Sequence, residues 1–137
     1  MCPNKLMIQI NSFSFVYTPI KINPENDDTL QYIFDCRFIK NPGRIEELKN
    51  FTGLDVEIEE FFRKETDMID FLEDTYKIIY KYLVERNLSR HKNIELNFGC
   101  TGGIHRSVFA AEYISKKLKF DFPKEIINIS HLRLQTL

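Results

Sequence analysis

The residues best suited to chemistry lie in one stretch, Phe98-Gly99-Cys100-Thr101-Gly102-Gly103-Ile104-His105-Arg106-Ser107. Just before it, Ile94, Leu96 and Phe98 alternate with Glu95 and Asn97, which predicts a strand over Ile94 to Gly99. Just after it, Ala110, Ala111, Ile114 and Leu118 form a stripe that predicts a helix over Arg106 to Leu118. The two adjacent glycines therefore turn a strand into a helix. Glycines let successive backbone N–H groups converge on one point, and a helix start adds unpaired N–H groups and partial positive charge. Arg106 can add a bidentate guanidinium. Ligands of open α/β sheets bind beyond the carboxyl ends of the strands, where this loop would sit. The expected guest is a small anion, most naturally a phosphate.

The spacing of Cys100, five residues, Arg106 and Ser107 also resembles the phosphate loop of cysteine-dependent phosphatases. That resemblance implies a thiolate nucleophile at Cys100, a phosphate-holding Arg106 and, after another strand, Asp35 as general acid. Gly99 stands where many of those phosphatases carry a His. The plainer alternatives are a tight turn at Gly102-Gly103, a buried thiol at Cys100 and a helix-capping or fold-supporting His105. Asp35 and Arg37 fall on one side of a strand end, where they form either a structural ion pair or part of a pocket.

Several elements must position these residues. Leu6, Ile8 and Ile10 alternate with Gln9 and Asn11 in a strand from Lys5 to Val16 that ends near Pro19. Leu30 to Phe34 is a short buried strand after a turn at Pro24, Asn26, Asp27 and Asp28. Asn41-Pro42-Gly43 is another turn, and Arg44 to Phe51 is expected as a short helix that Gly53 stops with a left-handed cap. Asp55 has the character of a new N-cap. Ile69, Leu72, Tyr76, Ile79, Tyr80 and Leu83 recur at spacings of three and four, which predicts a long core-facing helix from Asp67 to Asn87. Tyr76, Tyr80, Tyr82, Phe61, Phe62 and Phe71 are expected mainly in the core. Pro123 closes the last helix, and Glu125 to Ser130 reads as a final strand. This order predicts an α/β fold over residues 1–137 as a single domain, with a central mixed or mostly parallel sheet flanked by helices.

Composition bounds the rest. The 137 residues are 43% hydrophobic, 13% aromatic and 28% charged, which excludes a mainly disordered chain. Nineteen basic against twenty acidic side chains leave a net charge of −1, so any anion site must be local. Cys2, Cys36 and Cys100 have neither disulfide-framework nor zinc spacing, which fits a reducing, cytoplasmic setting. No signal segment, membrane span, metal site or cofactor is expected. Lys116, Lys117 and Lys119, and Arg86, Arg90, His91 and Lys92, read first as solvated helix ends and second as an RNA footprint. His91 and His131 read as surface or packing residues.

A broader pattern adds to this. Gly99-Cys100-Thr101-Gly102-Gly103-x-His105-Arg106-Ser107, Phe34-Asp35-x-Arg37-Phe38 with Asn41-Pro42, and Thr52-Gly53-x-Asp55 occur in order, and from Ser12-Phe13 to His131 the chain resembles the carboxy-terminal domain of the RapZ family of RNase adapter proteins. The resemblance implies a regulatory or adapter domain that binds a phosphorylated aminosugar such as glucosamine-6-phosphate. It implies further contact with RNA or a regulatory protein. The ligand positions it implies are Asp35, Arg37, Asn41, Cys100, Thr101, Gly102, Gly103, His105, Arg106 and Ser107. No G-x-x-x-x-G-K-[ST] string is present, so nucleotide hydrolysis is not expected.

The sequence departs from the family at Gly43, where members often have His, and at Ser14 and Val16, where they have Gly and Lys. The basic tail of the family is not seen after His131, where Arg133 is the one further cation, so weaker RNA contact is expected. Leftover aromatics on the long helix could form a homodimer face.

Overall fold

The computed structural model describes residues 6–22, 28–85 and 91–137. Cys2, the turn residues Pro24, Asn26 and Asp27, and Arg86, Asn87 and Arg90 lie outside the described residues.

Four strands, β1 (Met7–Ser14), β2 (Thr29–Asp35), β3 (Asn93–Cys100) and β4 (Ile126–His131), form one sheet in the order β2-β3-β1-β4. Every pairing is parallel, so the expectation of a mixed or mostly parallel sheet resolves to the fully parallel case. Parallel neighbours need long crossovers. The helices α1 (Val56–Glu65) and α2 (Met68–Glu85) carry the chain from β2 to β3, and α3 (Arg106–Asp121) carries it from β3 to β4. The register sets Asp35 beside Gly99 and Ser14 beside Cys100, which brings the carboxyl ends of β1, β2 and β3 to one edge.

The helices pack on the face that carries Ile8, Ile10, Ile94, Leu96 and Phe98, each 0–1% exposed. Burying each such side chain contributes about 1.5–3 kcal/mol. On the opposite face an amide ladder runs across the strands. Gln9 Nε2 donates to Asn11 Oδ1, Asn11 Nδ2 to Asn97 Oδ1, and Asn97 Nδ2 to Tyr32 O, each at 3.0 Å. Buried amides are tolerated there because their hydrogen bonds are met.

α3 is buried on nearly every side of its first turn and a half, Arg106 through Ala111, and the small Ser107, Ala110 and Ala111 let its axis approach the sheet. α2 is pinned to it by the Tyr76 hydroxyl on Asp121 Oδ2 and by Lys117 and the Tyr113 hydroxyl on Glu73. The expected core face of α2 holds at Leu72, Tyr76, Ile79 and Leu83. Tyr80 departs from it and is 45% exposed, because it falls on the flank of the stripe, beside Phe122. Phe71 is half-buried, with Phe38 packed on its ring.

Two local expectations are corrected. The segment Arg44 to Phe51 is not an α-helix. A 3₁₀ turn at Pro42–Arg44 gives way to an extended Ile45 (φ −106°), whose carbonyl accepts from both Leu48 and Lys49 N–H, and Phe51 N–H then bonds the Leu48 carbonyl. Ile45, Leu48 and Phe51 all pack on the core at a spacing of three, which suits tight turns better than a helix of 3.6 residues per turn. Gly53 is not a left-handed cap, since Gly103 is the one described glycine with positive φ. Its role is close approach: a Cβ at Gly53 would lie 2.5 Å from both the His105 carbonyl and the Phe109 nitrogen. Asp55 is the N-cap of α1, and its carboxylate accepts from the Thr52 N–H at 2.7 Å rather than from the helix. Among the described residues, no helix is long and apolar enough to cross a membrane.

Candidate functional site

The loop between β3 and α3 lies at the carboxyl edge of the sheet, held from both sides. Ser14 Oγ donates to the Thr101 carbonyl at 2.5 Å and accepts from the N–H groups of Val16 and Tyr17. The departure at Ser14 thus supplies a hydroxyl that fixes the loop. Gly53 N–H donates to Ile104 O at 2.9 Å on the other side. Gly103 has φ +72°, and a Cβ there would lie 2.7 Å from Arg133 Cβ and 2.9 Å from Ser14 Cβ. Gly102 differs: its φ is not positive and nothing lies within 4 Å of where its Cβ would be. Neither fold nor packing requires a glycine at 102.

Cys100 is 2% exposed and sits inside the loop. Its sulfur accepts from Gly103 N–H at 3.3 Å and from Ser107 N–H at 3.4 Å, and the thiol donates to Ser107 Oγ at 3.2 Å. The N–H groups of Gly102, Ile104 and His105 carry no hydrogen bond to the described residues. Gly99, the position at odds with the phosphatase pattern, is set by packing, because a Cβ there would overlap the Phe13 ring and lie 2.7 Å from Phe15 Cε2.

Arg106 is 5% exposed, and its Nη1 donates to the carbonyls of Arg37 (2.7 Å) and Ile39 (2.8 Å). It therefore latches the segment after β2 onto the loop. Its Nε is buried and has no partner among the described residues, and the same holds for Nε2 of His105, which is 9% exposed. Burial lowers the His105 pKa, against the opposing pull of the Phe51 and Lys49 carbonyls, so the imidazole is neutral at pH 7. A Cβ at Gly43 would lie 3.3 Å from His105 Cε1, so the glycine at this family position leaves the imidazole face free of a neighbouring side chain.

Asp35 and Arg37 form a bidentate ion pair at the strand end, with Arg37 Nη2 2.6 Å from Asp35 Oδ2 and the guanidinium 4.0 Å above the Phe15 ring. The hydrogen bonds from Arg37 hold the Asp35 carboxyl below its ordinary pKa. Asn41 accepts from Gly43 N–H at 2.9 Å and so caps the 3₁₀ turn.

Two hollows open on this edge. The inner one, about 150 Å³, is lined by Asn41, Gly43, Gly102, Gly103, Ile104 and His105, with Cys100 and Arg106 at its base. The outer one, about 480 Å³, is lined by Arg37, Lys40, Arg44, Thr101 and Arg106, with Ile39, Asn41 and Ile45. Of the ten sequence-expected positions, Asn41, Cys100, Gly102, Gly103, His105 and Arg106 meet around the inner hollow, and Arg37 and Thr101 line the outer one. Ser107 reaches the site through Cys100, and Asp35 through Arg37. Lys40, Arg44 and Arg133, whose Nε donates to Gly102 O at 3.3 Å, were not expected from the sequence. The available signal was two cations flanking a turn just past the carboxyl end of a strand.

Other sequence readings settle nearby. His131 is half-buried and bridges Ser12 Oγ (2.7 Å) and Glu112 Oε2 (2.9 Å). Lys117 is committed to Glu73 at 2.6 Å.

The sequence profile of the RapZ C-terminal domain matches residues 6–135. Among curated relatives, the chain is 39% identical over 88 residues to a nucleotide-binding protein of Thermotoga neapolitana, covering 64% of this chain and 31% of the relative. It is 36% identical over 118 residues to a nucleotide-binding protein of Pseudothermotoga lettingae, covering 86% and 40% respectively. To a nucleotide-binding protein of Aeromonas hydrophila it is 33% identical over 112 residues, covering 82% and 36%. The aligned part thus spans about a third to two-fifths of each of these relatives. With a matching profile over nearly its whole length, and with the loop, the Asp35–Arg37 strand end and the Gly53 turn meeting at one edge, the chain belongs to the RapZ C-terminal domain family.

Proposed function

We propose that this is a regulatory domain that binds a phosphorylated sugar, with the phosphate in the inner hollow against the N–H groups of Gly102, Ile104 and His105 and the guanidinium of Arg106. The observation that carries the reading is the buried Arg106 Nε, without a partner among the described residues, at the start of a sixteen-residue helix. A desolvated donor without an acceptor costs about 1–3 kcal/mol, more when charged, and an oxyanion would remove that cost. Arg37, Asn41 and Thr101 would face the sugar, and Asp35 would act by holding Arg37. Glucosamine-6-phosphate is the ligand that the family resemblance favours. A cytoplasmic setting and a macromolecular partner, RNA or protein, belong to the same proposal.

The test is thermal denaturation with inorganic phosphate, glucosamine-6-phosphate, glucose-6-phosphate and a nucleotide sugar, since a ligand selective for the folded state raises the melting temperature. A rise for the aminosugar phosphate that Arg106→Ala abolishes supports the reading. The absence of a rise with every ligand refutes it.

One observation favours a second reading, a cysteine phosphatase: the Cys100 sulfur sits inside the loop and accepts from the Gly103 and Ser107 N–H groups. Against it, Arg37 holds Asp35 ionised and so unsuited to donate a proton, and Arg106 Nη1 is spent on two carbonyls. Aryl phosphate turnover abolished by Cys100→Ser would favour this second reading over the first.

A further inference from the structure

Cys36 follows β2 and Cys100 ends β3, on neighbouring strands and on the same face of the sheet. Asp35 pairs with Gly99, and the Cys36 N–H then donates to the Gly99 carbonyl at 2.8 Å, so the two cysteines are the next residues in step. Each lies two positions beyond a phenylalanine, Phe34 or Phe98, whose rings stack 5.3 Å apart, and both belong to the core at 0% and 2% exposure. Neighbouring strands run about 4.8 Å apart, inside the Cα separation of roughly 4.4–6.8 Å that a disulfide spans. Both thiols are free. Their surroundings differ in one respect: Cys100 lies at the base of the inner hollow, whereas Cys36 lines neither hollow. Burial, with Cys100 beside it, pushes the Cys36 thiol up and keeps it protonated. An oxidant therefore meets Cys100 first, and a hollow of about 150 Å³ admits one no larger than a few water molecules.

We propose that Cys36 and Cys100 form a reversible disulfide, with hydrogen peroxide as oxidant, that takes the site out of use. The Cys100 sulfur attacks one peroxide oxygen, the O–O bond breaks, and water leaves with the thiol proton, which makes Cys100 a sulfenic acid. The Cys36 sulfur then attacks the Cys100 sulfur, its proton and the hydroxyl leave as a second water, and the S–S bond closes. Two thiols are oxidised and one hydrogen peroxide is reduced to two waters. The bond draws the Cys100 sulfur away from the Gly103 and Ser107 N–H groups and from Ser107 Oγ, the contacts that hold it inside the loop. Strand spacing keeps the β-carbons wider apart than the ~3.8 Å of a relaxed disulfide, so the bond is strained and readily reduced. Only the effect on ligand rests on the phosphate-binding reading of the inner hollow; the disulfide stands without it.

The experiment treats the wild type with hydrogen peroxide, alkylates the unfolded chain with iodoacetamide and maps tryptic peptides by mass spectrometry. The expected result is a fall from three alkylated cysteines per chain, Cys2 among them, to one, with the Cys36 peptide joined to the Cys100 peptide and both thiols restored by dithiothreitol. Cys36→Ala should stop at a Cys100 sulfenic acid that dimedone traps. Glucosamine-6-phosphate at about tenfold excess over its Kd should slow oxidation of the wild type roughly tenfold by filling the hollow, and the oxidised protein should show no ligand-induced rise in melting temperature. Two thiols that both stay alkylatable after peroxide, or a Cys2–Cys100 bond in place of the Cys36–Cys100 bond, would overturn the proposal. So would an oxidised protein that keeps the full ligand-induced rise. A Cys36–Cys100 bond that forms while no ligand raises the melting temperature of the reduced protein would leave the disulfide standing and refute the phosphate reading.

Discussion

Gly102 and Gly103 are neighbours in sequence with opposite physical roles, and exchanging each for Ala separates fold from ligand. At Gly103 an alanine must hold φ +72°, which costs about 1–2 kcal/mol for a residue with a Cβ. That Cβ would also lie 2.7 Å from Arg133 Cβ and 2.9 Å from Ser14 Cβ, and relieving such overlap in a packed region costs a further ~1–3 kcal/mol. The sum is about 2–5 kcal/mol, which for a chain of this length lowers the melting temperature by roughly 10 °C. At Gly102 the backbone is ordinary and the space empty, so Ala changes stability by no more than about 0.5 kcal/mol. The methyl group would, however, project from the wall of the inner hollow where a phosphate is placed. The assay is thermal denaturation of wild type, Gly102→Ala and Gly103→Ala, without ligand and with glucosamine-6-phosphate at a hundredfold excess over its Kd. In the wild type such an excess adds about 2.7 kcal/mol. Gly102→Ala is expected to melt like the wild type without ligand and to lose most of the ligand-induced rise. A Gly102→Ala protein that keeps the full rise refutes the placement of the phosphate, and equal destabilisation by both substitutions refutes the conformational argument.

Further expectations concern the scaffold. Gly99→Ala drives a methyl group into the Phe13 ring and should cost at least about 1–3 kcal/mol, read by urea denaturation; a neutral substitution would show that β1 and β3 can spread at their carboxyl ends. Arg106→Gln removes two charge-assisted bonds to the Arg37 and Ile39 carbonyls, for a loss of about 3 kcal/mol or more; a loss below about 1 kcal/mol would mean that Arg106 is no latch. His105 has a pKa lowered by burial, so between its unfolded value near 6.5 and the lower folded value the unfolded chain binds more protons. Stability should therefore fall as pH drops below about 6.5, and His105→Asn should flatten that slope relative to the wild type. Identical slopes in the two proteins would refute the assignment.

The fold was legible where side-chain periodicity is imposed by burial. Ile94, Leu96 and Phe98 against Glu95 and Asn97, and Ala110, Ala111, Ile114 and Leu118, each marked a face that the structure buries. The segment from Arg44 to Phe51 was misread because its apolar residues recur every three positions. Three is also one of the spacings a helix face shows, and the extended backbone at Ile45 rules the helix out. In the site, the glycine-rich loop could be read from composition because a strand-to-helix turn needs residues without side chains. The commitments of its polar groups could not. Nothing in the sequence distance between Arg106 and Ile39 indicates that one donates to the other's carbonyl, and Asp35 with Arg37 fits a pocket and an ion pair equally well until the rotamers are fixed.

The same distinction explains how a chain with a net charge of −1 holds a positive site. In a fully parallel sheet the carboxyl ends of all strands meet at one edge, so the residues that follow β2 and β3 converge although they are more than sixty positions apart in sequence. Lys40 and Arg44 come from the first of these segments, Arg106 and the loop N–H groups from the second, and the Arg106 latch ties the two together. Because Arg106 both bonds the Arg37 and Ile39 carbonyls and lines the two hollows, a ligand anion on its Nε would tighten the guanidinium that clamps the outer wall. Ligand binding and order in the segment 37–45 are then one equilibrium: hydrogen exchange of the Arg44, Ile45 and Leu48 amides, bonded at 3.0–3.2 Å to Asn41, Pro42 and Ile45 carbonyls, should slow when glucosamine-6-phosphate is present. Ligand binding without added protection of these amides would show that the latch is already fully closed in the free protein.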